Sequence, residues 1–364
     1  LAPQLIEAAN LAAEGTETET ERAIALHRFV AHSLDKRSGT ARTSALAALL
    51  TRDGNAAFLY SALLRAVGIE HELVWSRGVD PAAEPDPENL FPDARDWMNQ
   101  LLVLVKPADG EPAWCDLSSK TLPYGRMIAN APNAVAFSAT RRTWTAMPDI
   151  APQQRAGDSM GVLVTLAEGR EATAEVTLDF TGNVGFALKE QLREIPETQM
   201  KRTVTGIVSR VIPGLGVSEY EVLGLKDDAP AAIRAKGAHK RLLDPAGEEF
   251  VCKLPFPALG LSGRASGEGE RKLPYMIGSS STNVVRARFV LPAGRERLGE
   301  FPEVVEEFRG ARYRLALEDA GPEGFTIVRE FVLPAQVIPA AEYAGFVAFA
   351  RKVDEAERVR LRFK

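Results

Sequence analysis

Cys115 and Cys252 are the chain's two cysteines, and a cysteine becomes a nucleophile only where its surroundings favour the thiolate. Cys115 stands in Ala113-Trp114-Cys115-Asp116-Leu117, which reads as a short strand. Alternation there turns Cys115 and Asp116 to opposite faces. No histidine lies near Cys115 in sequence, so it reads as a small buried hydrophobe, as does Cys252 between Val251 and Lys253. The histidines His27, His32, His71 and His239 have no metal-ligand spacing, and the two cysteines form neither a zinc pattern nor a disulfide framework. His27 and His32 read as structural or surface residues, and His71 as structural. Asp53 and Asp116 are two carboxylates, the minimum for general acid/base work, but nothing in the sequence brings them together. Arg141-Arg142 beside Trp144 has the composition of a phosphate or glycan contact, but a pair of basic residues beside one Trp is usually ordinary surface. Gly206 to Gly216 carries glycines without the Lys-Ser/Thr of a phosphate-binding loop, so no nucleotide site is expected. No metal and no cofactor are expected.

The elements that would position these residues centre on Arg52 to Arg77. Arg52-Asp53-Gly54-Asn55 reads as a turn, with Asn55 able to cap a helix beginning at Ala56. Ala56, Leu59, Leu63 and Val67 share one helical face, with Tyr60 and Leu64 beside them. Gly68 sits where a helix end favours positive φ, and Ile69 to Trp75 alternates like a half-buried strand. Upstream, Ala2 to Ala13 is a helix closed by Gly15. Thr18-Glu19-Thr20-Glu21 has the form of a capping box, opening a helix with Ala23, Leu26, Val30 and Leu34 on one side, and Ser44 to Leu50 is a short apolar helix. Downstream, Gly78 to Asp96 reads as a long surface loop, Leu101 to Val105 as a buried strand, and Leu122 to Gly125 as a turn.

All four tryptophans precede residue 150, and the chain beyond reads mostly as strands. This predicts domains at 1–150 and 151–364, with a boundary near Ile150-Ala151-Pro152. In the second, strands are expected at 161–166, 172–180, 219–225, 231–236, 249–254, 284–291, 312–317, 325–333 and 359–363. Thr181-Gly182-Asn183 reads as a turn, Ala187 to Val211 as mostly helical despite Pro196, and Ala340 to Val353 as a helix. Ser262 to Lys272 reads as a flexible loop or linker, which makes 262–272 a candidate second division.

Composition narrows the function classes. The net charge of −5 over 364 residues gives no sign of a nucleic-acid surface. No apolar run approaches the ~20 residues of a membrane span. The chain opens at Leu1, so it reads as a segment of a longer protein, and a missing leader carries no weight.

Ala62-Leu63-Leu64-Arg65-Ala66-Val67-Gly68-Ile69, then Asn99-Gln100-Leu101-Leu102-Val103, then Trp114-Cys115-Asp116-Leu117 form an ordered series. It resembles the bacterial transglutaminase-like (papain-like) domain, in the type set between β-rich domains of unknown function. The match covers residues 1 to 150. The remainder resembles the β-rich domain that comes after it in such proteins, with Gly182, Ala340, Glu342, Tyr343 and Phe346 matching its ending loosely. The resemblance implies an α+β fold, with a papain/transglutaminase-like domain followed by a β-rich, sandwich-like region of one or two units. It also implies a Cys-His-Asp triad with the cysteine at a helix N-terminus. Here the cysteine position falls on Asp53 by one alignment, and near Asn55 or Ala56 by the other. The histidine position is Gln100, and the aspartate survives as Asp116.

Gln100 has no titratable nitrogen, and neither Asp53 nor Asn55 supplies a soft nucleophile. The expectation is therefore a catalytically silent module that binds or scaffolds, with a protein, peptide or glycan of the bacterial cell envelope as partner. An extracytoplasmic, periplasmic setting comes from the resemblance alone. The alternative is a peptidase- or amidase-type hydrolase, or an acyl transferase, with a non-standard site in the same cleft.

Overall fold

The computed structural model describes residues 1–37, 43–76, 100–127, 135–147, 156–265, 271–278 and 280–364. The expected loop Gly78–Asp96, the residues Trp97, Met98 and Asn99, and the boundary at Ile150-Ala151-Pro152 lie outside these. The fold is α+β, in two compact units, Leu1–Gln154 and Arg155–Lys364.

The first unit opens with α1 (Pro3–Ala12) and α2 (Glu19–Ser33). The capping box forms in full: Thr18 Oγ1 accepts from Glu21 N, and the Glu21 carboxylate accepts from Thr18 N. Asp109 adds a second anchor, accepting from the backbone N–H groups of Glu19 and Thr20 at 2.6 and 3.0 Å. These carboxylates satisfy donors that a helix start leaves open. Next come β1 (Lys36–Arg37), α3 (Ala45–Thr51), β2 (Asp53–Gly54) and α4 (Ala56–Ala66).

The expected turn at 52–55 is more ordered than the sequence predicts. Arg52 ends α3 in the left-handed region (φ 57), Asp53 and Gly54 pair in parallel with Lys36 and Arg37, and Asn55 caps α4. Only glycine fits at 54, since a Cβ there would stand 2.5 Å from the Ala48 Cβ.

A five-stranded antiparallel sheet completes the unit, ordered β5-β4-β3-β6-β7. Its strands are β3 (Glu70–Ser76), β4 (Gln100–Lys106), β5 (Ala113–Asp116), β6 (Val135–Ser138) and β7 (Thr143–Ala146). The β6–β7 hairpin was not expected from the sequence. Leu59, Tyr60, Leu63 and Leu64 of α4 are buried together with Val103, Val105 and Cys115 of the sheet and with Leu117 just beyond β5. Each such apolar side chain contributes about 1.5–3 kcal/mol.

The second unit is built on an eight-stranded sheet ordered β10-β11-β9-β8-β15-β19-β18-β17. The chain runs through β8 (Ala156–Leu166), β9 (Ala172–Thr181), α5 (Gly182–Arg193), α6 (Glu197–Val211), β10 (Gly216–Leu223) and β11 (Ala232–His239). It continues through β12 (Asp244–Ala246), β13 (Glu249–Lys253), α7 (Leu261–Ala265), β14 (Tyr275–Ile277), β15 (Ser281–Val290) and β16 (Arg297–Leu298). It closes with β17 (Val304–Phe308), β18 (Ala311–Gly321), β19 (Gly324–Leu333), β20 (Gln336–Ile338), α8 (Tyr343–Ala356) and β21 (Arg360–Phe363).

Within the large sheet every pair is antiparallel except β8 with β15. A smaller sheet, β12-β13-β21-β16, covers one face, where Phe363 packs on Phe289 and Phe325, 6.2 Å from each ring centre.

Two expectations need correction. Thr181-Gly182-Asn183 is no turn: Thr181 is the N-cap of α5. The stretch 187–211 is two helices, because Pro196 cannot continue the first and instead stands at the N-cap of the second. Strands on both sides of 262–272 share the large sheet, and the helix Leu261–Ala265 runs into the start of that stretch.

Candidate functional site

Asn55 occupies the start of α4. Its Oδ1 accepts from Ala57 N at 3.0 Å and Phe58 N at 3.2 Å, the usual work of an N-cap. The positive end of the helix dipole is thus already satisfied by a neutral amide. Asp53, the other candidate for this position, is exposed on β2, where it pairs with Lys36.

Gln100 heads β4, opposite Ser76 of β3, and Leu102 stands opposite Asp116 of β5. Strand alternation therefore brings Ser76, Gln100 and Asp116 to one face. Gln100 Nε2 donates to Asp116 Oδ2 at 2.6 Å, and Gln100 Oε1 accepts from Ser76 Oγ at 3.2 Å. A carboxylate only accepts, so the amide orientation is fixed from both sides. Asp116 is fully buried. Its Oδ1 accepts from Ser118 N at 2.9 Å, and its own N–H donates to Arg126 O.

The other face of the same strands, carrying Leu101, Val103, Val105 and Cys115, packs with α4. The structure thus joins Gln100 to Asp116, while the Asn55 side chain spends its hydrogen bonds on the first turn of α4.

The cysteines are buried and inert. Burial pushes the Cys115 thiol up to about 12, partly opposed by the Gly125 N–H and the Tyr60 hydroxyl; Cys252 is pushed up to about 12 by burial as well. Thiols so raised carry almost no thiolate near neutral pH. The histidines have their own neighbours. His27 stands edge-on to Tyr60 and Tyr124, His32 bonds Arg28 O, and His239 bonds Pro213 O. His71 Nδ1 donates to Ile69 O at 2.9 Å, and its Nε2 shares a hydrogen bond with Ser61 Oγ at 2.8 Å. No group of three or more metal-ligating side chains occurs among the described residues.

A second polar cluster on the sheet escaped the sequence reading. Glu72 of β3 bonds Lys106, accepts from Ser138 Oγ at 2.6 Å and pairs with Arg141 Nε at 2.7 Å. Burial pushes its carboxyl up, but these hydrogen bonds and cationic charges outweigh it and hold the group below the usual range. Arg141 thus serves this cluster, and Trp144 packs on Phe137 at 5.2 Å. Glu72 shares its phase of β3 with Glu70, Val74 and Ser76, so the strand sequence does not mark it out, and its partners Lys106, Ser138 and Arg141 come from distant positions.

No family model and no curated protein matches the chain. Its fold is similar to that of a solved structure, a putative protease from Parabacteroides distasonis, with a TM-score of 0.56 and 12% identity. The alignment covers 99% of this chain and 55% of that one, so the chain spans about half the length of its structural neighbour. At this identity the likeness concerns the fold alone. No described helix is long and apolar enough to cross a membrane.

Proposed function

We propose that the first unit is a transglutaminase-like, papain-like module without catalytic activity, and that the chain acts as a binding or scaffold protein of a bacterial cell envelope. The observation that carries the proposal is the Gln100–Asp116 contact. Asp116 has the partner that an orienting aspartate requires, but that partner is an amide, which neither takes up nor releases a proton near neutral pH. The Asn55 cap supports the same conclusion, since a neutral side chain stands where the resemblance asks for a thiolate. The β-rich second unit, with its large sheet partly covered by a smaller one, agrees with the sandwich-like region found after such modules. The partner class, a protein, peptide or glycan of the envelope, and the periplasmic setting rest on the resemblance.

The structural neighbour's description as a putative protease motivates the competing possibility of a hydrolase with a non-standard site. Asp53 and Asp116 would be its acid/base pair. Against it, Asp53 is exposed on β2 while Asp116 is buried on Gln100. The test is an amidase and acyl-transfer assay on the whole chain with casein and small glutamine-containing peptides. Turnover at the uncatalysed background is expected for the wild type and for Asp116→Ala. A rate that disappears in Asp53→Ala or Asp116→Ala would overturn the proposal.

A further inference from the structure

β10 forms one edge of the eight-stranded sheet, pairing with β11 on one side only. A bulge between Val217 and Glu219 interrupts the pairing near its start, leaving Glu219–Leu223 as a straight edge segment. Such an edge presents a row of backbone donors and acceptors to any chain that approaches it.

Two features give this edge a preference. The first is a groove beneath it. Where Pro196 breaks the helical stretch, the α5–α6 corner and β10 border an open depression whose apolar lining is Leu192, Ile195, Met200, Tyr220, Val222 and Leu225, with two acidic (Glu197, Glu221) and two basic (Arg193, Lys226) residues also bordering it, so that its own charges balance. These apolar residues lie on the sheet's covered side. The second is a charge row on the exposed side. The register sets Glu175 of β9 opposite Lys236 of β11, and Lys236 opposite Glu219 of β10; the Glu175–Lys236 pair closes at 2.9 Å. One step along, Arg234 stands opposite Glu221. One row thus runs acid, base, acid (Glu175, Lys236, Glu219) and the next runs Thr177, Arg234, Glu221, so both end at an exposed glutamate on the open edge.

We propose that the β10 edge is a docking surface for an extended peptide that adds as a further strand and carries basic residues alternating with apolar ones. The basic residues continue the charge row beside Glu219 and Glu221, and the apolar ones fill the groove at the α5–α6 corner. Opposite charges facing one another across strands stabilise the pairing, while like charges oppose it. A second copy of this chain pairing through the same edge would set glutamate against glutamate, which disfavours it as the occupant. Strand addition takes its affinity from main-chain hydrogen bonds and its specificity from alternate side chains.

The test is fluorescence anisotropy on the whole chain with a labelled Lys-Val-Lys-Val-Lys-Val-Lys peptide, together with two controls. One control carries N-methyl groups on alternate backbone amides, the other glutamate in place of lysine. Saturable binding is expected for the parent peptide. The N-methylated peptide, keeping charge and composition but losing edge hydrogen bonds, should bind about tenfold more weakly or worse. The glutamate peptide should not bind, and the double variant Glu219→Lys/Glu221→Lys should reverse that preference. Equal binding of the parent and N-methylated peptides would reduce the effect to charge adsorption and overturn the proposal, as would no binding of the parent. Sedimentation showing a dimer dispersed by the double variant would make a second copy the occupant and equally overturn it.

Discussion

Arg329→Met tests how the second unit tolerates a charge in its core. The Arg329 side chain is 1% exposed and that of its partner Glu357 2%, with 2.7 Å between Nη1 and Oε1. The guanidinium also donates to Asn283 Oδ1 from Nε and Nη2 and to Pro257 O from Nη1, and it lies 4.7 Å from the centre of the Phe256 ring. Methionine keeps much of the volume, so the loss is electrostatic rather than a cavity. Removing one partner of such a buried pair costs about 3–5 kcal/mol, because the other charge is left without compensation.

Glu357 sets the pH dependence. Burial raises its carboxyl above the usual range, with the Arg329 charge as the main opposing influence. A raised carboxyl holds its proton in the folded state after the unfolded chain has released it, so stability falls as pH rises through that window. Without Arg329 the carboxyl rises further, the window widens, and the penalty grows toward pH 8 while shrinking toward pH 5. Because Trp75, Trp97, Trp114 and Trp144 all belong to the first unit, tryptophan fluorescence does not report on this one. Urea unfolding followed by far-UV circular dichroism at pH 5 and pH 8 is the assay. A loss below about 1 kcal/mol at pH 8, or one equal at both pH values, would refute the reasoning.

The remaining predictions concern the first unit and the thiols. Neither cysteine should react with a water-soluble disulfide reagent in the native protein at pH 8, and both should react in denaturant; rapid labelling of Cys115 in the native state would contradict its burial. Asn55→Ala should destabilise the first unit by about 1 kcal/mol through loss of the α4 cap, read as a lower urea midpoint in tryptophan fluorescence. No change would mean that the two Asn55 hydrogen bonds contribute nothing.

Local chemistry was legible wherever one element decides its own form. The Thr18 box, the apolar face of α4, the close of that helix at Gly68 and the strand after it are all set by neighbouring residues, and they stand near the positions read from the sequence. The Gln100–Asp116 contact was legible only through the resemblance, which sets the two at partnered triad positions; the pairing of β4 with β5 that brings them together is a feature of the structure.

What escaped depends on partners distant in sequence. Asp53-Gly54 looks like a turn until Lys36-Arg37 is available to pair with it. The β6–β7 hairpin is short, and its strand β6 gains its place by lying against β3. Glu72 shows no special signal until Lys106, Ser138 and Arg141 converge on it. In the second unit, Thr181-Gly182-Asn183 has turn composition, yet β9 ends at Thr181 and α5 starts directly at Gly182, without a side-chain cap.

The single parallel pair in the large sheet bears on the order of assembly. On one side of it, β8 to β11 form an antiparallel group; on the other, β15, β17, β18 and β19 form a second. Each group can pair largely through nearby segments, but the seam joins residues 125 apart, as in the side-chain contact of Asn283 with Asp158. Closing so long a loop costs entropy before any seam contact rewards it, and contacts of high sequence separation slow folding. The expectation is that the two half-sheets form before the seam closes, each exposing a strand edge until then. During that interval β8 and β15 are the chain's points of vulnerability to pairing with a neighbouring molecule, although in the finished fold both lie in the interior of the sheet.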